Sequence, residues 1–299
     1  MGAAIHSDEG RAPLDIAARS GLHAIHYRLP VASAQVKSAI LFAALAGDGE
    51  SRIEDPFGTR DHAERMLPLF GARIEIAGAT VALRPGPLAA AEVRVPGDLS
   101  AAAFAIAAAL LVPGSRLRIP NVGVNPGRDG CLRAFARMGA RIARSKERSF
   151  GAEPVADLAV ESQSLRGIRV PAEEVPRLID EIPVLLVLAA VAAGETVIEG
   201  AGELRYKESD RIETMRAGLE AMGAKIAVRG DDIMVRGGSL SRGGRVSSGG
   251  DHRVAMALAL AGLVTPQPVR VTEAAWIATS FPDFVATLRA AGIAVRAAA

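Results

Sequence analysis

The chain has 299 residues, 49% of them hydrophobic and 23% charged, with a formal net charge of only +2 at pH 7. That is enough apolar material for two packed domains and too much for disorder, while the near-neutral balance, one Trp and two Tyr give no support for a nucleic-acid partner. The longest uncharged stretch, between Asp98 and Arg116, is broken by Pro113 and so predicts no membrane span; no basic-then-apolar leader opens the chain, and one cysteine permits no intrachain disulfide, which fits a reducing cytoplasm.

A short phrase recurs along the chain: Met1-Gly2-Ala3-Ala4-Ile5, Met138-Gly139-Ala140-Arg141-Ile142 and Met222-Gly223-Ala224-Lys225-Ile226, with looser copies at Phe70-Gly71-Ala72 and Ala291-Gly292-Ile293. The period, roughly 70 residues, marks a repeated unit, and the chain is expected to start inside one. In chain order, Ser33-Ala34-Gln35 opens a helix over Val36 to Leu45 that stops at Gly47. Ile74 and Ile76 read as a strand behind Gly71. A Pro96-Gly97 pair separates two domains, 1–92 and 93–299. Asp98-Leu99-Ser100 then opens a second helix, Ala101 to Val112, followed by a strand at Arg116 to Ile119. Cys131, Leu132, Phe135 and Met138 share one helical face ahead of Gly139, and Ile142 begins a strand. Asp180-Glu181 opens the uncharged run Ile182 to Ala193, with a strand from Thr196 to Glu199. Ile212, Met215, Leu219 and Met222 form an amphipathic helix before a strand at Ile226 and Val228. Asp251-His252-Arg253 opens Val254 to Leu263, which stops at Pro266, and Val295 reads as a last strand. Each unit closes as helix, glycine, strand, the glycine suiting a left-handed C-cap. Ala- and Leu-rich runs with almost no charge belong to buried helices, so the units pack helices inside and sheets outside.

No glycine-rich nucleotide loop and no Cys/His metal spacing is present, so candidate chemistry lies in charged residues at helix starts. Arg205-Tyr206-Lys207-Glu208-Ser209-Asp210-Arg211 precedes an amphipathic helix. It is either an anion site strengthened by Lys207 and Arg211 or a solvated helix start with intrahelical pairs. Asp251 is a competent N-cap, and capping explains it fully. Arg253 sits against the positive end of the helix dipole unless an anion meets it. His252 is structural or a hydrogen-bond donor. Asp180 and Glu181, at the mouth of an apolar helix, are either caps or a partly desolvated general base. Ser33 and Gln35 are caps or ligand donors, Arg60 in Thr59-Arg60-Asp61-His62 meets a phosphate or solvates its loop, and Cys131 is a buried small hydrophobe.

Taken in order, Ser33-Ala34-Gln35-Val36-Lys37-Ser38, Lys207-Glu208-Ser209-Asp210-Arg211, Asp251-His252-Arg253 and Thr279-Ser280-Phe281-Pro282-Asp283-Phe284 resemble the 5-enolpyruvylshikimate-3-phosphate synthase family, its glyphosate-tolerant bacterial branch most closely. The resemblance implies the inside-out α/β barrel of the enolpyruvyl transferases, in two domains with the first incomplete. It implies a cytoplasmic, usually monomeric enzyme of the shikimate pathway, with shikimate 3-phosphate and phosphoenolpyruvate as substrates and no metal or organic cofactor. By the same resemblance Ser33, Ala34, Gln35, Arg60, Asp180 and Lys207 contact shikimate 3-phosphate, and Gln35, Arg211 and Arg253 contact phosphoenolpyruvate. Asp180 handles the 5-hydroxyl proton and Glu208 works as acid and base beside C3, which selects the base over the cap for Asp180.

Two departures stand out. Thr279 occupies a position where many family members carry lysine. The family's opening Pro-Gly-Ser-Lys-Ser, Gly-Asn-Ala-Gly-Thr and Arg-Pro-Met segments do not occur, so the chain resembles the C-terminal two-thirds of the enzyme, expected to be silent alone and to partner the missing segment. The alternatives are the UDP-N-acetylglucosamine enolpyruvyl transferase, which shares the fold, and a non-catalytic substrate-binding remnant.

Overall fold

The computed structural model describes residues 1–17, 21–238 and 240–296, and the chain divides into two compact units, Met1–Val95 with Ser149–Glu153, and Pro96–Arg148 with Pro154–Ala299. The first unit opens on an antiparallel hairpin of β1 (Ala4–Asp8) and β2 (Arg11–Ala17). It continues through β3 (His26–Arg28), α1 (Ala34–Ala44), β4 (Ser51–Glu54), α2 (His62–Met66), β5 (Arg73–Ala77) and β6 (Thr80–Arg84). These strands form a sheet in the order β3-β4-β6-β5, in which only β3 and β4 run parallel. Leu29, Leu41, Ile53, Leu67, Val81 and Leu83 fill its core.

The second unit repeats the plan. Its elements are α3 (Leu99–Leu111), β7 (Arg116–Gly123), α4 (Gly130–Arg137), β8 (Ile142–Phe150), β9 (Glu153–Glu161), β10 (Arg169–Val170), α5 (Ile182–Val191), β11 (Glu195–Ile198), α6 (Arg211–Ala221), β12 (Lys225–Arg229), β13 (Asp232–Arg236), β14 (Gly244–Ser247), α7 (His252–Ala261), β15 (Val269–Thr272) and α8 (Phe284–Ala290). The sheet β10-β11-β13-β12 has the order of the first unit's sheet, again with one parallel pair followed by antiparallel ones. The order β7-β9-β8 and the parallel pair β14-β15 complete the sheets. Every residue of α5 from Ile182 to Ala190 is buried, whereas β13 alternates, with Ile233 and Val235 inward. Helices therefore lie inside and sheets outside in this unit, because an apolar helix needs cover all round and a sheet only on one face. Among the described residues no helix is long and apolar enough to cross a membrane.

All five marker glycines take positive φ: 83° at Gly2, 83° at Gly71, 104° at Gly139, 92° at Gly223 and 83° at Gly292. This is the left-handed turn that lets a strand follow a helix at once, and a side chain there would be strained. Strands β1, β5, β8 and β12 follow the first four. The strand expected at Val295 does not form: Ile293–Arg296 joins no ladder, and the Val295 N–H bonds instead to the Ile293 carbonyl at 3.0 Å. A strand is stable only beside a partner, and none of the described residues supplies one there. The chain divides at Val95–Pro96, at the Pro96-Gly97 pair read from sequence and three residues beyond the 92/93 bound assigned to the domains. Gly97 N–H donates to the Asn121 carbonyl at 2.8 Å and the Gly97 carbonyl accepts from Gly123 at 2.9 Å, which joins this segment to β7. The β8–β9 turn, read as part of the second domain, belongs to the first unit: His62 Nδ1 lies 2.6 Å from Glu153 Oε1, and Arg94 stacks over the Phe150 ring at 3.9 Å.

Phe104 of α3, 1% exposed, meets Phe284 of α8 edge to face with ring centroids 6.4 Å apart. Phe104→Ala is expected to cost about 3–5 kcal/mol, read from denaturant unfolding followed by the fluorescence of Trp276, the sole tryptophan. A loss below about 1 kcal/mol would show that α8 is not held through this ring pair.

Candidate active site

The starts of α5, α6 and α7 in the second unit gather the charged residues singled out in the sequence. Arg211, first residue of α6, is only 1% exposed and is the largest fully buried side chain of the described residues. Its Nε donates to Asp251 Oδ2 at 2.7 Å, and Nη2 donates to Glu208 Oε2. Its Nη1 lies 3.6 Å from Asp180 Oδ1 and has no partner within hydrogen-bond reach. Arg253, in the first turn of α7, approaches the same Asp180 oxygen with Nε at 3.8 Å, while its Nη1 donates to the Asp180 carbonyl at 3.3 Å. The anion that the Arg253 position demanded is thus the Asp180 carboxylate. Asp180 and Arg253 each keep 16% of their side-chain surface exposed, so they face solvent where Arg211 does not.

Asp251 is wholly buried and its Oδ1 accepts from the backbone N–H groups of Arg253 at 2.8 Å and Val254 at 3.2 Å, the N-cap expected from sequence. Capping does not explain it fully, however, because its second oxygen is the counter-ion of Arg211. Asp210 likewise caps α6 through the Glu213 N–H at 3.0 Å. Neither Asp180 nor Glu181 caps α5: they form a single 3-10 turn, Ile179–Glu181, whose side chains bond elsewhere. Lys207 pairs with Glu203, its Nζ 2.5 Å from Oε1. His252 titrates below its ordinary value because burial disfavours its charged form and Arg253 repels it. Thr279 donates its hydroxyl to the Trp276 carbonyl at 2.7 Å. Cys131 is completely buried, and burial pushes its thiol well up, as befits a core residue. Among the described residues no three His, Cys, Asp or Glu side chains gather as a metal site.

In the first unit Ser33 caps α1, accepting from the Val36 N–H at 3.3 Å, and places Ala34 and Gln35 in the first turn. One turn on, Lys37 is buried with Nζ 2.9 Å from Asp55 Oδ2 and 2.6 Å from Glu64 Oε1. The loop that carries Arg60 hangs on the same carboxylate: Asp55 accepts from the Thr59 N–H at 2.9 Å and the Thr59 hydroxyl at 2.7 Å, and Lys37 Nζ donates to the Thr59 carbonyl at 3.3 Å. Sequence reasoning missed this buried ion cluster. Its signal was a lysine inside the apolar run Val36 to Leu45, where only a paired cation can stand.

The geometry thus brings Asp180, Glu208, Arg211 and Arg253 together in the second unit and places Ser33, Ala34, Gln35 and Arg60 on two elements of the first joined by Lys37. Against known proteins, the family model for EPSP synthase (3-phosphoshikimate 1-carboxyvinyltransferase) matches residues 1–288. A 3-phosphoshikimate 1-carboxyvinyltransferase of Acidithiobacillus ferrooxidans is 49% identical over 299 residues, all of this chain and 69% of that protein. The enzyme of the same name from Desulforudis audaxviator is 49% identical over 290 residues, 96% of this chain and 68% of its own. The solved EPSP synthase of Acinetobacter baumannii superposes with a TM-score of 0.89 at 40% identity, covering 99% of this chain and 69% of that one. The enolpyruvyl transferase NikO of Streptomyces tendae, at 23% identity and a TM-score of 0.80, shares the fold. These matches favour the shikimate enzyme over the UDP-N-acetylglucosamine enolpyruvyl transferase, and with half of this chain identical to the curated relatives along its whole length, it belongs to the EPSP synthase family.

Proposed function

We propose that the residues gathered at the starts of α5, α6 and α7 carry out the family's reaction, in which the enolpyruvyl group of phosphoenolpyruvate passes to the 5-hydroxyl of shikimate 3-phosphate and phosphate is released. The observation that carries this reading is the shared Asp180 oxygen, 3.6 Å from Arg211 Nη1 and 3.8 Å from Arg253 Nε. Two guanidinium groups converging on one carboxylate are a ready fork for a ligand that brings its own carboxylate and phosphate. Without substrate, Asp180 and Glu208 occupy that fork. An arriving anion takes over the N–H groups, and the displaced carboxylates, facing a like charge in place of two cations, become better bases.

The addition step follows. Asp180 accepts the proton of the 5-hydroxyl as its oxygen bonds to C2, and Glu208 delivers a proton to C3, giving a tetrahedral intermediate. In the elimination step Glu208 takes a proton back from C3, the C2=C3 bond reforms and the phosphate leaves with the electron pair of its C2–O bond. Arg211 and Arg253 stabilise the charge that develops on that phosphate. In the first unit, Ser33, Ala34, Gln35 and Arg60 contact shikimate 3-phosphate, and Gln35 also reaches phosphoenolpyruvate; Ser33, Ala34 and Gln35 stand at the start of α1, where the helix dipole favours an anion. Lys207 adds a further cation to shikimate 3-phosphate once it leaves Glu203.

The direct test is phosphate release from phosphoenolpyruvate, assayed with and without shikimate 3-phosphate. It uses the chain alone and the chain supplied with the first third of the Acidithiobacillus relative. Release that requires both substrates is expected in the supplied sample; release without shikimate 3-phosphate, or none, removes the assignment. In that assay Asp180→Asn is expected to lower kcat by about 10²–10⁴-fold with little change in KM for phosphoenolpyruvate. Unchanged kcat would exclude Asp180 as the base. Arg211→Lys keeps the charge but loses the planar fork, and a fall in kcat/KM of about tenfold or more is expected. Near-normal kinetics would take Arg211 out of the site.

A further inference from the structure

Glu181, next in sequence to the candidate base, is an ionisable group that the reaction above does not use. It is 2% exposed, it does not cap α5, and it follows Asp180 directly in the 3-10 turn Ile179–Glu181. An unpaired carboxylate in this apolar setting is costly, and a well-packed apolar residue would be at least as stable there. Its partners are specific. The Ser100 hydroxyl, itself 2% exposed in the first turn of α3, donates to Glu181 Oε1, and Arg128 Nη2 donates to the same hydroxyl oxygen at 2.7 Å. A hydroxyl has one proton, so accepting from Arg128 aims that proton at Glu181. Arg128 Nη2 also stands 3.6 Å from Asp98 Oδ1, on the residue that caps α3, and 4.0 Å from Glu181 Oε1. The relay Arg128 to Ser100 to Glu181 therefore ties the start of α3 to the turn that bears Asp180.

We propose that Glu181 is a positioning residue for Asp180, its carboxyl anchored on Ser100 so that the preceding side chain is held toward Arg211 and Arg253. The proposal rests on the reading of Asp180 as the base. Besides Ser100, the charged or titratable groups that act on Glu181 are Asp180, Arg128 and Arg253, and Cys131 feels its charge. Burial is the largest influence and raises its proton affinity above that of an ordinary glutamate, the Ser100 hydrogen bond opposing this in part. A folded-state value raised in this way adds stability below the unfolded value and loses it as pH rises through the folded one.

The test compares Glu181→Gln, which keeps an oxygen for the Ser100 hydroxyl, with Glu181→Ala, which does not. In the 299-residue chain itself, amide hydrogen exchange at 179–182 is expected to speed up by about tenfold or more in the Ala variant. Exchange in the body of α5 should stay as it is, and the Gln variant should exchange like the unaltered protein. The stability that the unaltered chain loses as pH rises above the ordinary glutamate range should be absent from both variants. In the phosphate-release assay the Ala variant should lose about 10- to 100-fold in kcat with KM for shikimate 3-phosphate retained, and Gln should restore most of it. Unaltered exchange at 179–182 in Glu181→Ala, or equal damage by Gln and Ala, overturns the proposal. Full turnover in Asp180→Asn, by contrast, would sink the base reading while the exchange result still decides whether Glu181 anchors the turn.

Discussion

A guanidinium sealed from water dictates the arrangement of the second unit. Arg211 is 1% exposed, and a buried cation is tolerable only where carboxylates surround it and nearly every N–H is used. Asp251 from the start of α7 and Glu208 from the loop before α6 supply two contacts, and Asp180 from the turn before α5 stands at 3.6 Å. Three helix starts are thereby locked to one side chain. Asp251 makes the lock rigid because it serves twice, capping α7 with one oxygen and holding Arg211 with the other. Losing either partner would leave a buried charge unmatched, a loss of about 3–5 kcal/mol in comparable pairs.

The chemistry proposed for the site grows out of that constraint. Helix N-termini bring positive dipoles to one place, and two arginines add to them, so the position favours anions. The anions near these arginines are protein carboxylates, Asp180, Glu208 and Asp251, which hold the guanidinium groups oriented. Among the described residues the buried Nη1 of Arg211 has no hydrogen-bond partner, and in the proposed reaction it is the donor offered to the substrate. The first unit solves a related problem with Lys37, whose buried ammonium joins the helix bearing Ser33 and Gln35 to the loop bearing Arg60. In both units a buried ion pair ties together elements that carry the proposed ligand donors.

Much of this was legible in the residues. The recurring glycines implied left-handed turns, and all five have positive φ; at Gly71, Gly139 and Gly223 this is the geometry a helix needs to pass straight into a strand. Ser33, Asp98 and Asp251 at the heads of apolar runs were readable as caps, since local hydrogen bonds depend on spacing alone. What depends on contacts across the chain was not. Nothing in the spacing links Arg211 to Asp251, forty residues on, or Ser100 to Glu181. The strand expected after Gly292 failed for the same reason, as pattern announces a strand but only a neighbour completes it. From its position alone Asp180 read first as a cap and only through the family resemblance as a base, and the structure sets its Oδ1 near two arginines, 3.6 Å from Arg211 Nη1 and 3.8 Å from Arg253 Nε.

The central claim, that Arg211 and Asp251 are mutual counter-ions on which the site's geometry depends, is tested most directly by a double-mutant cycle on stability. Arg211→Met, Asp251→Asn and the double variant would be unfolded in denaturant with Trp276 fluorescence as the signal. Each single change should be strongly destabilising, and the double variant should recover about 2 kcal/mol relative to the sum of the two. Additivity within about 0.5 kcal/mol would mean the two side chains are energetically independent and would contradict the account.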